Sequence, residues 1–105
     1  MKITKTNIDG LIVIEPEIFL DDRGFFFESW NLNSFKKIGI EENFVQDNQS
    51  LSSKGVLRGL HFQTPPYSQS KLVRVIKGSV LDVAVDIRSN SPTYGLHYSV
   101  TLSEK

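Results

Sequence analysis

The sequence contains no cysteine, which excludes disulfides, thiolate nucleophiles and thiolate metal sites. It also has no excess of either charge, because 12 lysines and arginines balance 12 aspartates and glutamates. No overall field therefore draws nucleic acid or an acidic membrane surface, and local cations must meet any anionic ligand. The first apolar run is too short for a signal peptide or a membrane span. We expect a cytoplasmic protein that binds neither nucleic acid nor membrane.

Helical patterns are scarce in the 105 residues, which suffice for one domain, 1–105. One helix is predicted near 34–38, with Asn33 as its N-cap and Gly39 at its end. Much of the rest consists of short apolar or alternating segments between turn residues, which predict strands. These strands are 11–14, 25–28, 44–48, 56–63, 71–76, 79–87 and 97–102. Short strands at such spacing are typical of an antiparallel sandwich or barrel, so the predicted fold class is all-β.

A hairpin is predicted around residues 77–78. If its loop has two residues, the strands at 71–76 and 79–87 pair so that Lys71 and Asp82 lie on one face. That face is small and polar, which fits either solvent or the interior of a barrel with a ligand cavity. A three-residue loop would instead place Lys71 with the apolar side chains of the second strand.

His61 is the candidate catalytic base. A lone histidine in a strand is usually structural or exposed, but Arg58 precedes it and Gly59 could form a bulge that turns both side chains to one side. A nearby cation favours the neutral imidazole, which can accept a proton. Lys71 could then stabilise the negative charge that develops on a carbonyl oxygen. A base and a cation together suit proton abstraction next to a ketone.

The histidines do not have the spacing of a metal site. Metal-binding β-barrels usually offer two histidines one residue apart on a strand, because residues i and i+2 point to the same side. Here Phe62 and Gln63 follow His61, and the second histidine, His97, lies in a remote strand. We therefore predict no metal and no cofactor, with His97 as a surface or packing residue.

The remaining charged residues are open to two interpretations. Arg23 alone would solvate a turn, but together with Arg58 and Lys71 it provides enough cations for a diphosphate. Asp86 and Arg88 are interpreted as a solvated or mutually paired set.

Five runs of the sequence are informative through their order and spacing. They are 44–50 (FVQDNQS), 58–63 (RGLHFQ), 71–75 (KLVRV), 82–88 (DVAVDIR) and 91–95 (SPTYG). Together they resemble the dTDP-4-dehydrorhamnose 3,5-epimerase family. The resemblance covers essentially the whole chain and implies a double-stranded β-helix of the cupin or jelly-roll type. It also implies a metal-free isomerase that acts as a homodimer with strand exchange.

The activity implied by the resemblance is epimerisation at C3 and C5 of dTDP-4-dehydro-6-deoxy-D-glucose, on the route to dTDP-L-rhamnose. By position, His61 matches the family's proton acceptor and Lys71 an active-site lysine, with Asp82 as an expected companion. Further positions match substrate-binding residues, some of which serve the neighbouring subunit's site. They are Arg23, Glu28, Gln46, Asp47, Asn48 and Arg58.

The chain departs from the family in its length. Complete members continue beyond the equivalent of Lys105 and carry there a tyrosine proton donor and an aspartate that orients the histidine. We therefore expect either a fragment or a barrel completed from elsewhere, with reduced turnover of the chain alone. The alternatives are a non-catalytic nucleotide-sugar-binding module and an epimerase that acts at one carbon only.

Overall fold

A computed structural model describes all residues 1–105, which form six strands and one helix. The strands pair into three separate two-stranded antiparallel sheets, β1 with β2, β3 with β4 and β5 with β6. The predicted class was all-β with one short helix, and the chain is mostly β with a single short helix. The elements are β1 (Lys2–Lys5), β2 (Ile12–Glu15), β3 (Phe19–Asp21), β4 (Gly24–Phe26), α1 (Leu32–Lys37), β5 (Ser79–Val85) and β6 (His97–Ser103).

The β5–β6 pair is the longest ladder and provides one wall for a cavity. Its register sets Asp82 opposite Val100 and Ala84 opposite Tyr98. Residues directly opposite in an antiparallel pair lie on the same face of the sheet, so these four side chains share one face. The other face carries Leu81 and every second residue after it in β5, because successive side chains of a strand point to alternate faces.

The predicted pairing of 71–76 with 79–87 is wrong, because β5 pairs only with β6. Gly78 instead contacts the end of β6. Its N–H donates to Glu104 Oε2 at 2.9 Å, and its carbonyl accepts from the Glu104 N–H at 3.0 Å. The backbone bond continues the contact between the two strands beyond the pair Ser79 and Ser103.

The predicted strands at 44–48, 56–63 and 71–76 are also wrong, since residues 41–78 contain neither helix nor strand. A strand needs a neighbour to satisfy its backbone N–H and carbonyl groups. No strand lies alongside these segments, so their sequence patterns, although typical of extended chain, form no ladder. Several residues of the predicted site lie in this part of the chain.

The β3–β4 hairpin is built of aromatic residues. Phe19 pairs with Phe26 and Leu20 with Phe25, around a turn that ends at Gly24 with a φ of 132°. Strand β4 ends at Phe26, so the predicted strand at 25–28 is displaced. All four apolar side chains are exposed, although Phe19 and Phe26 have ring centroids 6.5 Å apart. Both faces of the hairpin are therefore apolar and uncovered.

Helix α1 begins two residues earlier than predicted. Its N-cap is Asn31, whose side chain accepts a hydrogen bond from the Ser34 N–H at 3.0 Å. Asn33, the predicted N-cap, lies inside the helix. The predicted end is close, because Gly39 follows the C-cap with a φ of 91°. Phe35 is the buried residue of this helix. Its ring packs edge-to-face with that of Trp30, with ring centroids 6.4 Å apart.

The cap assignment leads to a sharp prediction. We expect Asn31→Ala to lower the free energy of unfolding by about 1 kcal/mol, because it leaves the Ser34 N–H without its acceptor. Asn33→Ala is the matched control, and we expect it to be neutral or slightly stabilising because alanine is the better residue within a helix. Urea unfolding followed by Trp30 fluorescence would measure both. A larger loss for Asn33→Ala would contradict the assignment.

Burial is low throughout the chain. Only Ile8, Phe35 and Asp86 are buried, with exposed fractions of 6%, 4% and 4%. Ile8 lies in the turn between β1 and β2, where Thr6 Oγ1 donates to the Leu11 carbonyl at 2.8 Å and accepts from the Ile8 N–H at 3.2 Å. The buried interior thus consists of three separate residues, and one of them, Asp86, carries a carboxylate.

Candidate functional site

A cavity of about 200 Å³ lies between the N-terminal part of the chain and the β5–β6 sheet. Most of its lining is apolar, with a few charged groups, which is the usual make-up of a small-molecule site. One side, which we call the N-terminal wall, is formed by Met1, 11–14 and Pro16. A second part of the lining, the β5–β6 wall, is formed by Asp82, Ala84, Tyr98, Val100 and Leu102.

Three predicted site residues meet in this cavity, namely Glu28, Lys71 and Asp82. Lys71 and Asp82 thus do line one space, as their predicted shared face suggested, although the hairpin behind that expectation does not form. The ion pairs of the chain are Lys2–Glu15, Arg23–Asp21 and Arg88–Asp86. Lys71 and Asp82 are in none of them, so both charges are available to a ligand.

His61 and Arg58 lie outside the cavity, in an exposed segment. The Arg58 side chain is held by the preceding loop, with Nε donating to Ser52 Oγ at 2.9 Å and Nη2 to the Leu51 carbonyl at 3.2 Å. Gly59 has a φ of 124°, a conformation that suits glycine and takes the backbone out of strand geometry. The structure therefore does not bring the candidate base together with Lys71.

The polar run at 46–48 is exposed and also lies outside the cavity. Within it, Gln46 Nε2 donates to Asn48 Oδ1 at 3.1 Å. Glu28, at the cavity, accepts a hydrogen bond from Asn31 Nδ2 at 3.2 Å. That bond joins the acidic side chain to the N-cap of α1.

Arg23 is paired within its own turn. Its Nη2 lies 2.6 Å from Asp21 Oδ2, and its backbone N–H donates to Asp21 Oδ1 at 2.8 Å. These hydrogen bonds lower the pKa of Asp21 and raise that of Arg23. The pair is exposed to solvent, so a competing anion could replace the Asp21 carboxylate at low cost.

Three polar residues of the cavity were not predicted as site residues, namely Ser29, Arg74 and Tyr98. Arg74 lies three residues after Lys71, and strand alternation places such residues on opposite faces. Only the irregular backbone of this segment allows both to reach the cavity. Tyr98 could have been found from the register, since it lies opposite Ala84, which is small and leaves room for the ring.

Asp86 is buried at the centre of a cluster of polar side chains. Arg88 donates to both of its oxygens, from Nε at 2.9 Å and from Nη2 at 3.0 Å. The hydroxyls of Ser91 and Thr93 donate to Asp86 Oδ2 at 2.5 and 2.6 Å. The Arg88 guanidinium and these two hydroxyls hold the pKa of Asp86 far below its usual range. The predicted pairing of Asp86 with Arg88 is confirmed, but Asp86 is buried rather than solvated.

Comparison with known proteins identifies the family. The family profile described as dTDP-4-dehydrorhamnose 3,5-epimerase matches residues 5–105. The chain belongs to the dTDP-4-dehydrorhamnose 3,5-epimerase family. It is 54% identical to the enzyme of that name from Methanothermobacter thermautotrophicus, over 99% of this chain and 56% of the relative. It is also 54% identical to the Escherichia coli enzyme, over 98% of this chain and 56% of the relative.

Solved structures of this family have the same backbone arrangement. The epimerase from Bacillus anthracis superposes with a TM-score of 0.95 at 44% identity, over 98% of this chain and 59% of that one. The epimerase from Legionella pneumophila, in complex with dTDP-4-keto-L-rhamnose, gives a TM-score of 0.92 at 53% identity, over 98% of this chain and 55% of that one. The chain thus spans little more than half the length of these family members. None of its helices has the length and apolar character needed to cross a membrane.

Proposed function

We propose that the protein is a dTDP-4-dehydrorhamnose 3,5-epimerase that converts dTDP-4-dehydro-6-deoxy-D-glucose to dTDP-4-dehydro-L-rhamnose in dTDP-L-rhamnose biosynthesis. The observation that carries the proposal is the apolar cavity into which Glu28, Lys71 and Asp82 converge, in a chain of this family. A family member was solved with dTDP-4-keto-L-rhamnose bound, which supports a dTDP-sugar as the ligand.

The proposed chemistry starts at the carbon next to the C4 ketone. His61 takes the proton from C3 or C5, and the C–H electron pair moves to the ketone oxygen as an enolate forms. Lys71 stabilises the negative charge on that oxygen, and Asp82 acts as a companion to the base. An acid then returns a proton to the opposite face of the carbon and inverts it. We assign that acid to none of the groups at the cavity.

The proposal requires the part of the chain that carries Arg58 and His61 to approach the cavity when the ligand binds, whereas residues 71–74 already line it. Arg58 and His61 lie outside the cavity, so the ligand has to contact these two side chains and the residues of the cavity at the same time. A diphosphate provides two charged groups that arginine can bind through paired hydrogen bonds, which suits Arg23 and Arg58. The other substrate-binding residues that we propose are Glu28, Gln46, Asp47 and Asn48.

We further propose that the protein forms a double-stranded β-helix and works as a homodimer with strand exchange. The β3–β4 hairpin supports this, because both of its faces carry exposed aromatic side chains. An isolated two-stranded hairpin is marginal in water, and large exposed apolar patches usually mark a contact with protein. Insertion of this hairpin into a second copy would cover both faces and carry Arg23 towards the partner's cavity.

Calorimetry with dTDP tests the binding part of the proposal. We expect dTDP to bind at least about tenfold more tightly than thymidine, because charge-assisted hydrogen bonds recognise the diphosphate. We expect Arg58→Gln to weaken dTDP binding by roughly 10–100-fold. Lys54→Gln is the matched control, an exposed cation of the same loop that is outside the proposed set. If wild-type protein binds no dTDP, the proposed function is wrong.

One observation favours a second candidate, a non-catalytic nucleotide-sugar-binding module. His61 does not line the cavity, whereas Glu28, Lys71 and Asp82 do, so the charged groups of the cavity are together without the base. Binding of dTDP without exchange of the sugar's C3 and C5 protons would select this module. Exchange at only one of the two carbons would instead select an epimerase that acts at a single centre.

A further inference from the structure

We propose that Asp86 is a positioning residue that, through Arg88, joins the N-terminal wall of the cavity to the β5–β6 wall. Asp86 directly follows β5, which carries Asp82 and Ala84 into the cavity. Arg88 reaches across to the turn between β1 and β2, where its Nη2 donates to the Asp9 carbonyl at 3.1 Å. That turn leads straight into residues 11–14 of the N-terminal wall.

The bond from Arg88 to Asp9 has no parallel in the chain. It is the only hydrogen bond between residues 1–40 and residues 71–105, and no ion pair joins these two parts. The strand ladders run within each part and not between them. Polar attachment of one cavity wall to the other therefore depends on the orientation of one guanidinium group.

Asp86 fixes that orientation. With Nε and Nη2 both on the Asp86 carboxylate, the planar guanidinium is held in one plane, and Nη2 has a further hydrogen to give to Asp9. Ser91 and Thr93 hold the carboxylate from the other side, and the Asp86 N–H donates to the Leu96 carbonyl at 2.9 Å. The carboxylate is thus held by two hydroxyls of the β5–β6 connection, and the Asp86 backbone is bonded to the residue that precedes β6.

The burial pattern agrees with this role. Two of the three buried residues, Ile8 and Asp86, lie at this junction, one on each side of the Arg88–Asp9 bond. Water is thereby kept from the carboxylate, which strengthens its hydrogen bonds to Arg88. The junction thus contains two of the three buried residues of a chain that otherwise exposes most of its side chains.

The charges at the junction favour the joined state at neutral pH. The charged groups here are Asp86, Arg88 and Asp9, and both carboxylates favour the Arg88 cation. The pKa of Asp86 is lowered in the folded chain, so its contribution to stability is present above the unfolded value of about 3.9. That contribution is lost as the pH falls from there towards the folded pKa. The wall-to-wall attachment is therefore at full strength throughout the neutral range.

The test is a urea titration of the 105-residue protein followed residue by residue with ¹H–¹⁵N NMR. In wild type, we expect the amides of Ile12–Glu15 and of Ser79–Val85 to lose their native signals at the same urea concentration, since the two walls unfold together. In Asp86→Asn, we expect the two midpoints to separate by roughly 0.5 M or more. A purely local stabilising role would lower both midpoints equally and leave them coincident.

Two further variants complete the experiment. Arg88→Lys retains the ion pair with Asp86 but cannot form the fork that presents Nη2 to Asp9, so we expect the midpoints to separate with a smaller overall loss of stability. It decides the question if Asp86→Asn does not fold. Asp21→Asn is the matched control, because Asp21 forms the same i, i+2 fork with Arg23 on an exposed turn that is joined to nothing else. We expect its midpoints to remain coincident.

The results against the proposal are distinct from a failure of the proposed function. Coincident midpoints in both Asp86→Asn and Arg88→Lys would overturn the positioning role, as would separate midpoints in wild type. A parallel measurement uses dTDP and rests on the proposed function, with Asp86→Asn expected to bind it at least about threefold more weakly because the walls are no longer held together. If wild type binds no dTDP, only the proposed function fails, and the NMR titration still decides the role of Asp86.

Discussion

Replacement of His61 by alanine is expected to abolish the wash-in of solvent deuterium at C3 and C5 of dTDP-4-dehydro-6-deoxy-D-glucose. A general base contributes about 10²–10⁴-fold to a proton-transfer step, so the exchange rate should fall by that factor. Exchange in D₂O, followed by ¹H NMR and by the mass of the sugar, measures the abstraction step directly. It needs no completed inversion, and therefore reports on the base even where return of the proton to the opposite face is slow.

His97→Ala is the matched control for this experiment. It removes the only other histidine, which is exposed on β6 and faces away from the cavity because its neighbours Tyr98 and Val100 line it. We expect exchange at the wild-type rate in this variant. Exchange that survives in His61→Ala would exclude His61 as the base and leave Asp82 as the group at the cavity to be tested next.

The local features of the fold were readable from the sequence where one short segment determines them. The turn before Gly24 and the helix end at Gly39 both follow from glycines with positive φ. The N-cap was misplaced because Asn31 and Asn33 are equally good by residue type. What decides between them is backbone conformation, with Asn31 extended at φ −150° and ψ 123°.

The strands between residues 41 and 78 could not be judged from their own residues. Val45 and Leu57 belong to patterns typical of strands, yet each is 92% exposed. Alternation indicates which face a strand would bury, but it does not say whether a neighbouring strand is there to pair with. Pairing is a property of the whole sheet, and sequence patterns within one segment do not contain it.

The candidate site could be predicted only in part, because sequence patterns within one segment do not show which other segments lie beside it. Lys71 and Asp82 were found by their chemistry and do share the cavity. Arg74 was missed because it reaches the cavity through irregular backbone. The burial of Asp86 has a signal in the sequence, namely two hydroxyl residues, Ser91 and Thr93, placed shortly after the Asp–Arg pair. A carboxylate with that many donors nearby can be buried at low cost.

Replacement of Lys71 by methionine is expected to slow the same deuterium exchange by roughly 10²–10³-fold, with little change in dTDP affinity. The reason is that the enolate oxygen carries a charge that the ketone does not, so a cation aimed at it stabilises the transition state more than the bound substrate. Methionine preserves the length and apolar stem of lysine at a mostly apolar cavity, which limits the change to the loss of the charge.

Lys77→Met controls for the loss of a lysine from the same region, because Lys77 is exposed and does not line the cavity. Its exchange rate and dTDP affinity should match those of wild type. The ratio of the two effects in Lys71→Met then distinguishes two roles. A loss of exchange alone assigns Lys71 to the enolate oxygen, whereas an equal loss of dTDP affinity assigns it to the diphosphate. In the second case Arg74, the other cation of that segment at the cavity, becomes the group to test at the oxygen.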